Sequence, residues 1–215
     1  MEDKGLQEFL NVFKMTGIEP IIGKRASQKK EVRKRLMNEG LALFSSHGLE
    51  KTTVADIVEN TKIARGTFYN YFADTQTLFD ALIDELNQSV KTVIQKNRRE
   101  SKNIYDYLYG AFKSYFDLIG TSEMIQFHIL NQAQIRQSSY QSDIIKTIVK
   151  NLNRDLKSDF KIKAFSEKYE FLLLSFMLVG TPPELFLATH TSDINLSSDQ
   201  LATFLAKLFH KVLME

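Results

Sequence analysis

Between Lys51 and Leu78 the chain reads KTTVADIVENTKIARGTFYNYFADTQTL, and Arg65, Thr67, Tyr69, Asn70 and Tyr71 carry donors and acceptors that a DNA duplex can meet. A guanidinium can fork onto guanine O6 and N7, a contact of about 1 to 3 kcal/mol against a wrong base, which makes Arg65 the leading base reader. Thr67 offers a methyl to a thymine methyl and a hydroxyl or backbone N–H to phosphate, and Gly66 lets the helix end approach closely. Tyr69 and Tyr71 suit either phosphate contact through their hydroxyls or packing against neighbouring helices, and Asn70 suits base or phosphate. No nucleophile–base pair, phosphate-cradling loop or metal-ligand spacing accompanies them. His47, His128, His190 and His210 are isolated, and Cys is absent, which excludes disulfides and thiol chemistry. The expectation is no enzyme, no catalytic residue, no metal and no cofactor.

Those side chains need elements to hold them. Val54, Ile57 and Val58 recur at i, i+3 and i+4, and Ile63, Phe68 and Phe72 continue the apolar face across a three- or four-residue connection, so two short helices share one core. Thr53 is placed to cap the first, with Asp56 three residues on reaching back as a variant capping box; that helix is expected to start near Val54. Upstream, Val32, Leu36, Gly40, Leu43 and Phe44 share one side of a helix that His47-Gly48 stops, Gly48 being free to take the left-handed C-terminal conformation. Three helices then close a small core.

The order LALFSSHGLEKTTVADIVENTKIARGTFYNYFADTQTLFDAL resembles the N-terminal domain of TetR-family (tetracycline-repressor-like) transcriptional regulators, over residues 28 to 85. The resemblance rests on the joint spacing of Phe44, Gly48, Thr53, Ile57, Ile63, Gly66, Thr67, Tyr69, Phe72 and Leu78. It implies a helix-turn-helix whose DNA-facing set is Lys29, Lys30, Arg33, Thr53, Arg65, Gly66, Thr67, Tyr69, Asn70, Tyr71 and Thr75. Three positions depart from the family pattern. Lys62 stands where Gly is frequent, so a non-Gly residue is expected at positive φ. Ala64 stands where many members have Ser, which removes a side-chain cap worth about 1 kcal/mol. Thr75 stands where a Lys usually meets phosphate; Thr can hydrogen-bond the oxygen but contributes no counterion release.

Charge upstream offsets that loss. The whole chain is nearly balanced, Lys+Arg 28 against Asp+Glu 26, yet Lys24, Arg25, Lys29, Lys30, Arg33, Lys34 and Arg35 face only Glu31, a local net of +6. Beside a helix-turn-helix this stretch reads as a phosphate clamp, although alone it is also what a solvated helix start looks like.

With 215 residues and 43% hydrophobic content the chain can fill two domains, and everything from Asn103 onward has a helical pattern. The fold class is all-α: an extension over 1–27, a three-helix DNA-binding domain over 28–76, and a larger helical effector-binding and dimerisation domain over 77–215. Apolar faces run over Ile104 to Ile119, Ile144 to Leu156, Ser166 to Gly180 and Leu201 to Val212. Thr181-Pro182-Pro183-Glu184 fits an N-cap, Pro at the first helical position and a capping-box Glu, so the chain is expected to kink or restart there. Phe112, Tyr115, Phe116, Met124, Phe127, His128, Phe176 and Met177 are either the lining of a chamber for a hydrophobic or aromatic effector or ordinary core. The resemblance implies dimerisation through the last two helices, here Ser166 to His190 and Ser198 to Leu213; internal core is the alternative.

Leu6, Phe9, Leu10 and Phe13 give Lys4 to Met15 the spacing of an amphipathic helix, joined by a linker from Thr16 to Ser27, which either docks on the protein or is a removable leader. The longest apolar stretch, Phe171 to Gly180, is short of the roughly 18 to 20 residues of a membrane span, and MEDKGLQEF does not read as a targeting signal. The expected partners are a palindromic double-stranded operator, a second copy of the chain in a homodimer and a small-molecule effector, with no membrane and a cytoplasmic location. The reading is a ligand-released repressor. A constitutive DNA-binding or nucleoid-associated adaptor, with a protein-interaction second domain, is the alternative.

Overall fold

A computed structural model describes residues 24–160, 162, 165, 167–192 and 194–214, and among them all regular structure is helical. The helices are α1 (Lys24–His47), α2 (Val54–Thr61), α3 (Arg65–Tyr69), α4 (Thr75–Glu100), α5 (Ile104–Ile119), α6 (Ser122–Leu130), α7 (Gln132–Gln141), α8 (Asp143–Arg154), α9 (Lys168–His190) and α10 (Ser198–Met214). A 3-10 turn, Leu49–Lys51, follows α1, and a π-helical turn, Asp155–Asp159, extends α8. The chain divides into two compact units: described residues up to Leu86 with Thr121–Ser138, and Asn87–Gly120 with the described residues from Ser139 on. The amphipathic helix read over Lys4 to Met15 lies outside the described residues. α1 begins at Lys24, inside the stretch expected to be linker.

In the first unit α1 packs against both α2 and α6. The buried stripe of α1 is consequently Leu36, Met37, Gly40, Leu41 and Phe44, while Val32 and Leu43, expected in the core, are only half-buried. At Gly40 a Cβ would collide with the Leu78 side chain, so glycine there allows α1 and α4 to meet closely. Phe44, Phe79 and Phe127 form a chain of rings with successive centroids 5.4 Å apart. α1 stops at Gly48, whose φ of 80° and ψ of 161° place it in the extended positive-φ region that glycine alone tolerates, not the left-handed helical one. Buried Asn131 fastens this corner. Its Nδ2 donates to the carbonyls of Phe44 (2.9 Å) and Phe127 (2.8 Å), and its Oδ1 accepts from the Leu49 N–H (2.7 Å).

In the second unit α5 lies against α10, and α8 against α9. Asn103 caps α5 by accepting from the Asp106 N–H, and Ser142 caps α8 by accepting from that of Ile144. Ser197 and Gln200 close a reciprocal capping box at α10. Of the kink or restart expected at Thr181, the restart does not occur: α9 runs through Pro182 and Pro183 to His190. Each proline removes one N–H donor from the helix, and Pro182 is buried. The Tyr169–His190 part of α9 is long and apolar enough to cross a membrane by length and composition, which the uninterrupted run Phe171 to Gly180 did not indicate.

Candidate nucleic-acid interface

The helix-turn-helix is built from local chemistry. At the start of α2 the Thr53 N–H and hydroxyl both donate to Asp56 Oδ2 at 2.8 Å, and the Asp56 N–H returns a bond to Thr53 Oγ1 at 3.3 Å. The Thr53 backbone N–H, then its hydroxyl, hold the Asp56 carboxyl below the ordinary carboxylate range. Thr53 has thereby spent both donors, and a phosphate oxygen, which only accepts, finds none there.

Lys62 makes the turn at φ 55°, ψ 32°, the left-handed conformation expected of it. Holding a non-glycine residue there costs on the order of 1 kcal/mol or more. The Arg35 guanidinium donates to the Thr61 carbonyl, placing a cation at the negative end of α2. Ala64 contributes no side-chain cap, and the first turn of α3 closes on its carbonyl through the N–H groups of Thr67 (2.8 Å) and Phe68 (3.2 Å).

Phe68, fully buried, fixes the rotation of α3 and leaves Arg65, Gly66, Tyr69 and Asn70 exposed, with Thr67 and Tyr71 half-buried. Tyr69 stands edge-on to Phe68, its centroid 5.6 Å away. The Arg65 guanidinium lies 5.9 Å from the centre of the Tyr69 ring and donates weakly, at 3.4 Å, to its hydroxyl. Tyr69 therefore steers Arg65 as well as offering its own oxygen. A Cβ at Gly66 would meet nothing within 4 Å, so its lack of a side chain serves no internal packing.

The flanking cations divide in two. Lys29, Lys30 and Lys34 are exposed. Arg33, expected on phosphate, pairs with Glu85 at 2.5 Å and lies 5.6 Å from the centre of the Phe72 ring, which makes it a strut between α1 and α4. Thr75, half-buried, opens α4 directly after Asp74, whose Oδ1 accepts from the Thr77 N–H (2.7 Å) and hydroxyl (2.8 Å). Those two bonds, the backbone one first, lower the Asp74 pKa. A fixed carboxylate beside Thr75 opposes a phosphate there. Arg35, Glu85 and Asp74 were missed as supports. Only Asp74 had a local signal, an Asp three residues ahead of Thr77 at a helix start.

The eight residues expected around an effector do not share one compact unit. Phe112 and Phe116 are buried in the second unit, ringed by Phe209 (6.0 Å) and Phe186 (6.4 Å), with Tyr115 half-buried beside them. Burial, then the Glu184 carboxylate, pushes the Tyr115 hydroxyl up. Met124, Phe127 and His128 are core of the first unit, the His128 Nδ1 lying 2.8 Å from the Met124 carbonyl. Phe176 and Met177 are exposed, 44% and 57%. A cavity of about 250 Å³ does open in the second unit, and none of the eight lines it.

Residues 36–82 match the family described as bacterial regulatory proteins, tetR family. The chain is similar to IcaR of Staphylococcus aureus, a negative transcriptional regulator of the biofilm operon icaADBC, with 22% identity over 158 residues, 68% of this chain and 80% of that protein. It is also similar to the uncharacterised regulator YfiR of Bacillus subtilis, 25% identical over 52% of this chain and 55% of that one. Among solved structures, FadR of Bacillus subtilis in complex with stearoyl-CoA superposes with a TM-score of 0.69 at 17% identity, covering 84% of this chain and 97% of that one. FadR of Bacillus halodurans gives 0.64 at 18%, covering 84% and 93%. These likenesses are of fold.

Proposed function

The chain is a TetR-family transcriptional regulator, and from that premise we propose that it represses its genes by holding a palindromic operator as a homodimer, releasing it when a small molecule occupies the second unit. The observation that carries the reading is α3, whose outward face gathers Arg65, Gly66, Tyr69 and Asn70 over a buried Phe68. Arg65 and Asn70 read bases, Thr67 and the tyrosines position the helix, and Lys29 and Lys30 hold the flanking backbone.

Homodimerisation is supported by the last two helices. Tyr169, Leu172, Leu173, Phe176 and Met177 follow i, i+3, i+4, i+7, i+8 on α9 and are 42% to 60% exposed; Phe204, Leu208 and Val212 are exposed on α10. Among the described residues nothing covers this apolar surface, and a DNA reader that must span two half-sites favours a second chain as its cover. We place the protein in the cytoplasm on the same reasoning. Repression is supported by the likeness to a negative regulator, and a ligand-responsive second unit by the likeness to a structure solved with stearoyl-CoA. An effector releases DNA by as much as its affinities for the DNA-bound and free arrangements differ. Selection of bound duplexes from a random pool tests the proposal. An inverted repeat is the expected product, and a pool with no sequence preference overturns it.

A further inference from the structure

Building on the ligand-responsive reading above, we propose that the cavity between the C-terminal half of α4, the start of α5 and the end of α8 binds an effector with an oxyanion head group on a short apolar body. The cavity, about 250 Å³ and open to solvent on one side, has Ile94, Ile148 and Leu152 in its wall and Lys91, Arg98, Arg99 and Arg154 around it. Four cations face two carboxylates. Asp155 pairs with Arg154 (3.0 Å) and stands 3.8 Å from Arg98 Nε, and Asp159, outside the lining, pairs with Arg98 at 2.5 Å. Lys91 and Arg99 have no carboxylate partner among the described residues.

Positive charge in excess around an apolar wall selects an anion with a hydrocarbon part, and it repels a cation of the same size. Arg98 is prepositioned for it. Its guanidinium lies 4.4 Å from the centre of the Phe160 ring while Asp155 and Asp159 hold its other side, so little side-chain freedom remains to be lost on binding. Its Nε is buried with no hydrogen-bond acceptor, so the fork is not saturated. Tyr107, stacked on the same Phe160 ring at 5.5 Å, also lines the cavity. Burial, and after it the Asp155 carboxylate, keeps the Tyr107 hydroxyl protonated and able to donate to an oxyanion.

Isothermal titration calorimetry of the full chain with octanoate, octyl phosphate, octanol and octylammonium tests the site. Both anions, or either one, are expected to bind at least about tenfold more tightly than octanol, with octylammonium excluded. The preferred anion tells whether the head group is a carboxylate or a phosphate. The Lys91→Glu, Arg99→Glu double variant is expected to weaken anion binding about tenfold or more; if it fails to fold, Lys91→Gln with Arg99→Gln carries the same test at smaller amplitude. Octanol binding as tightly as octanoate, unchanged anion affinity in the folded variant, or no binding of any of the four overturns the site. Adding the bound anion to the protein on its selected operator separates the two proposals: binding without release leaves the site standing and removes its effector role.

Discussion

The helix-turn-helix and α9 handle apolar surface in opposite ways. In α2 and α3 each helix turns one face inward, Ile57 and Phe68 being fully buried, and leaves polar groups outside. Their ends are closed locally by the Thr53–Asp56 box and by Lys62 in the left-handed region, and from α1 by Arg35 on the Thr61 carbonyl. α9 is apolar on both faces: Phe171, Leu174, Leu178 and Phe186 are buried, while Leu173 and Met177 are each 57% exposed. The first region is complete within one chain and keeps its spare hydrogen-bonding groups for DNA. The second leaves one apolar face uncovered among the described residues. A helix apolar all round specifies burial on two sides, and the described part of the chain supplies only one.

Phe68→Ala breaks the first region and spares the second. Losing a fully buried ring under α3 costs about 3 to 5 kcal/mol of the first unit's stability and abolishes operator binding. Thermal melts followed by hydrogen exchange are expected to show residues of α1 to α3 opening early, with α5 and α10 protected as in the parent protein. Equal loss of protection in both would mean that the units do not fold as separate bodies.

The converse test acts on α9. Leu173→Glu with Met177→Glu places charge where the side chains are exposed within one chain, so helicity is retained while association is lost. The variant is expected to sediment as a monomer and to bind the operator about 100-fold more weakly, because two linked recognition helices gain on the order of 10²-fold or more over one. A variant that stays dimeric moves the interface elsewhere, and a monomer with undiminished affinity removes the need for one.

This contrast also explains what was legible in the sequence. Caps depend on residues three or four apart, so the Thr53–Asp56 box could be read from the letters, while positive φ at Lys62 and the missing cap at Ala64 were legible only against the family pattern. Helical periodicity marked the apolar stripes of the second unit equally well but carried no information about what each stripe faces. Phe112 and Phe176 look alike in sequence, yet one is 5% exposed and the other 44%. Arg33 and Arg35 were read with the surrounding lysines because their acceptors, Glu85 and Thr61, lie 52 and 26 positions away. The cation-lined cavity was invisible for the same reason, its charges being shared between residues 91–99 and 154–155.

Arg65→Ala sharpens the role of the polar face. Loss of about 1 to 3 kcal/mol at one base position of the operator, with non-specific binding intact, is expected in competition gel shifts. A uniform loss across sequences, with a shallower salt dependence, would reassign Arg65 to phosphate. Lys62→Gly and Ala64→Ser repair local strain and a missing cap, and each is expected to raise the unfolding free energy by up to about 1 kcal/mol in urea titrations. No substitution of that kind acts on the exposed apolar face of α9.

The smallest effect is one of acidity, and it too should distinguish the regions. Asp56 and Asp74 cap α2 and α4, and hydrogen bonds from Thr53 and Thr77 hold both carboxyls below the ordinary carboxylate range. A carboxyl whose folded pKa is depressed contributes stability that is present above its unfolded pKa and is lost as pH falls through the folded one. Thermal melts between pH 5 and about 2.5 should therefore show the caps of the first unit weakening below about pH 4. Asp56→Asn with Asp74→Asn is expected to flatten that slope for probes in the first unit while leaving the slope for α9 and α10 as it was. If both units respond alike, the acid sensitivity belongs to the chain's overall charge and not to these two caps.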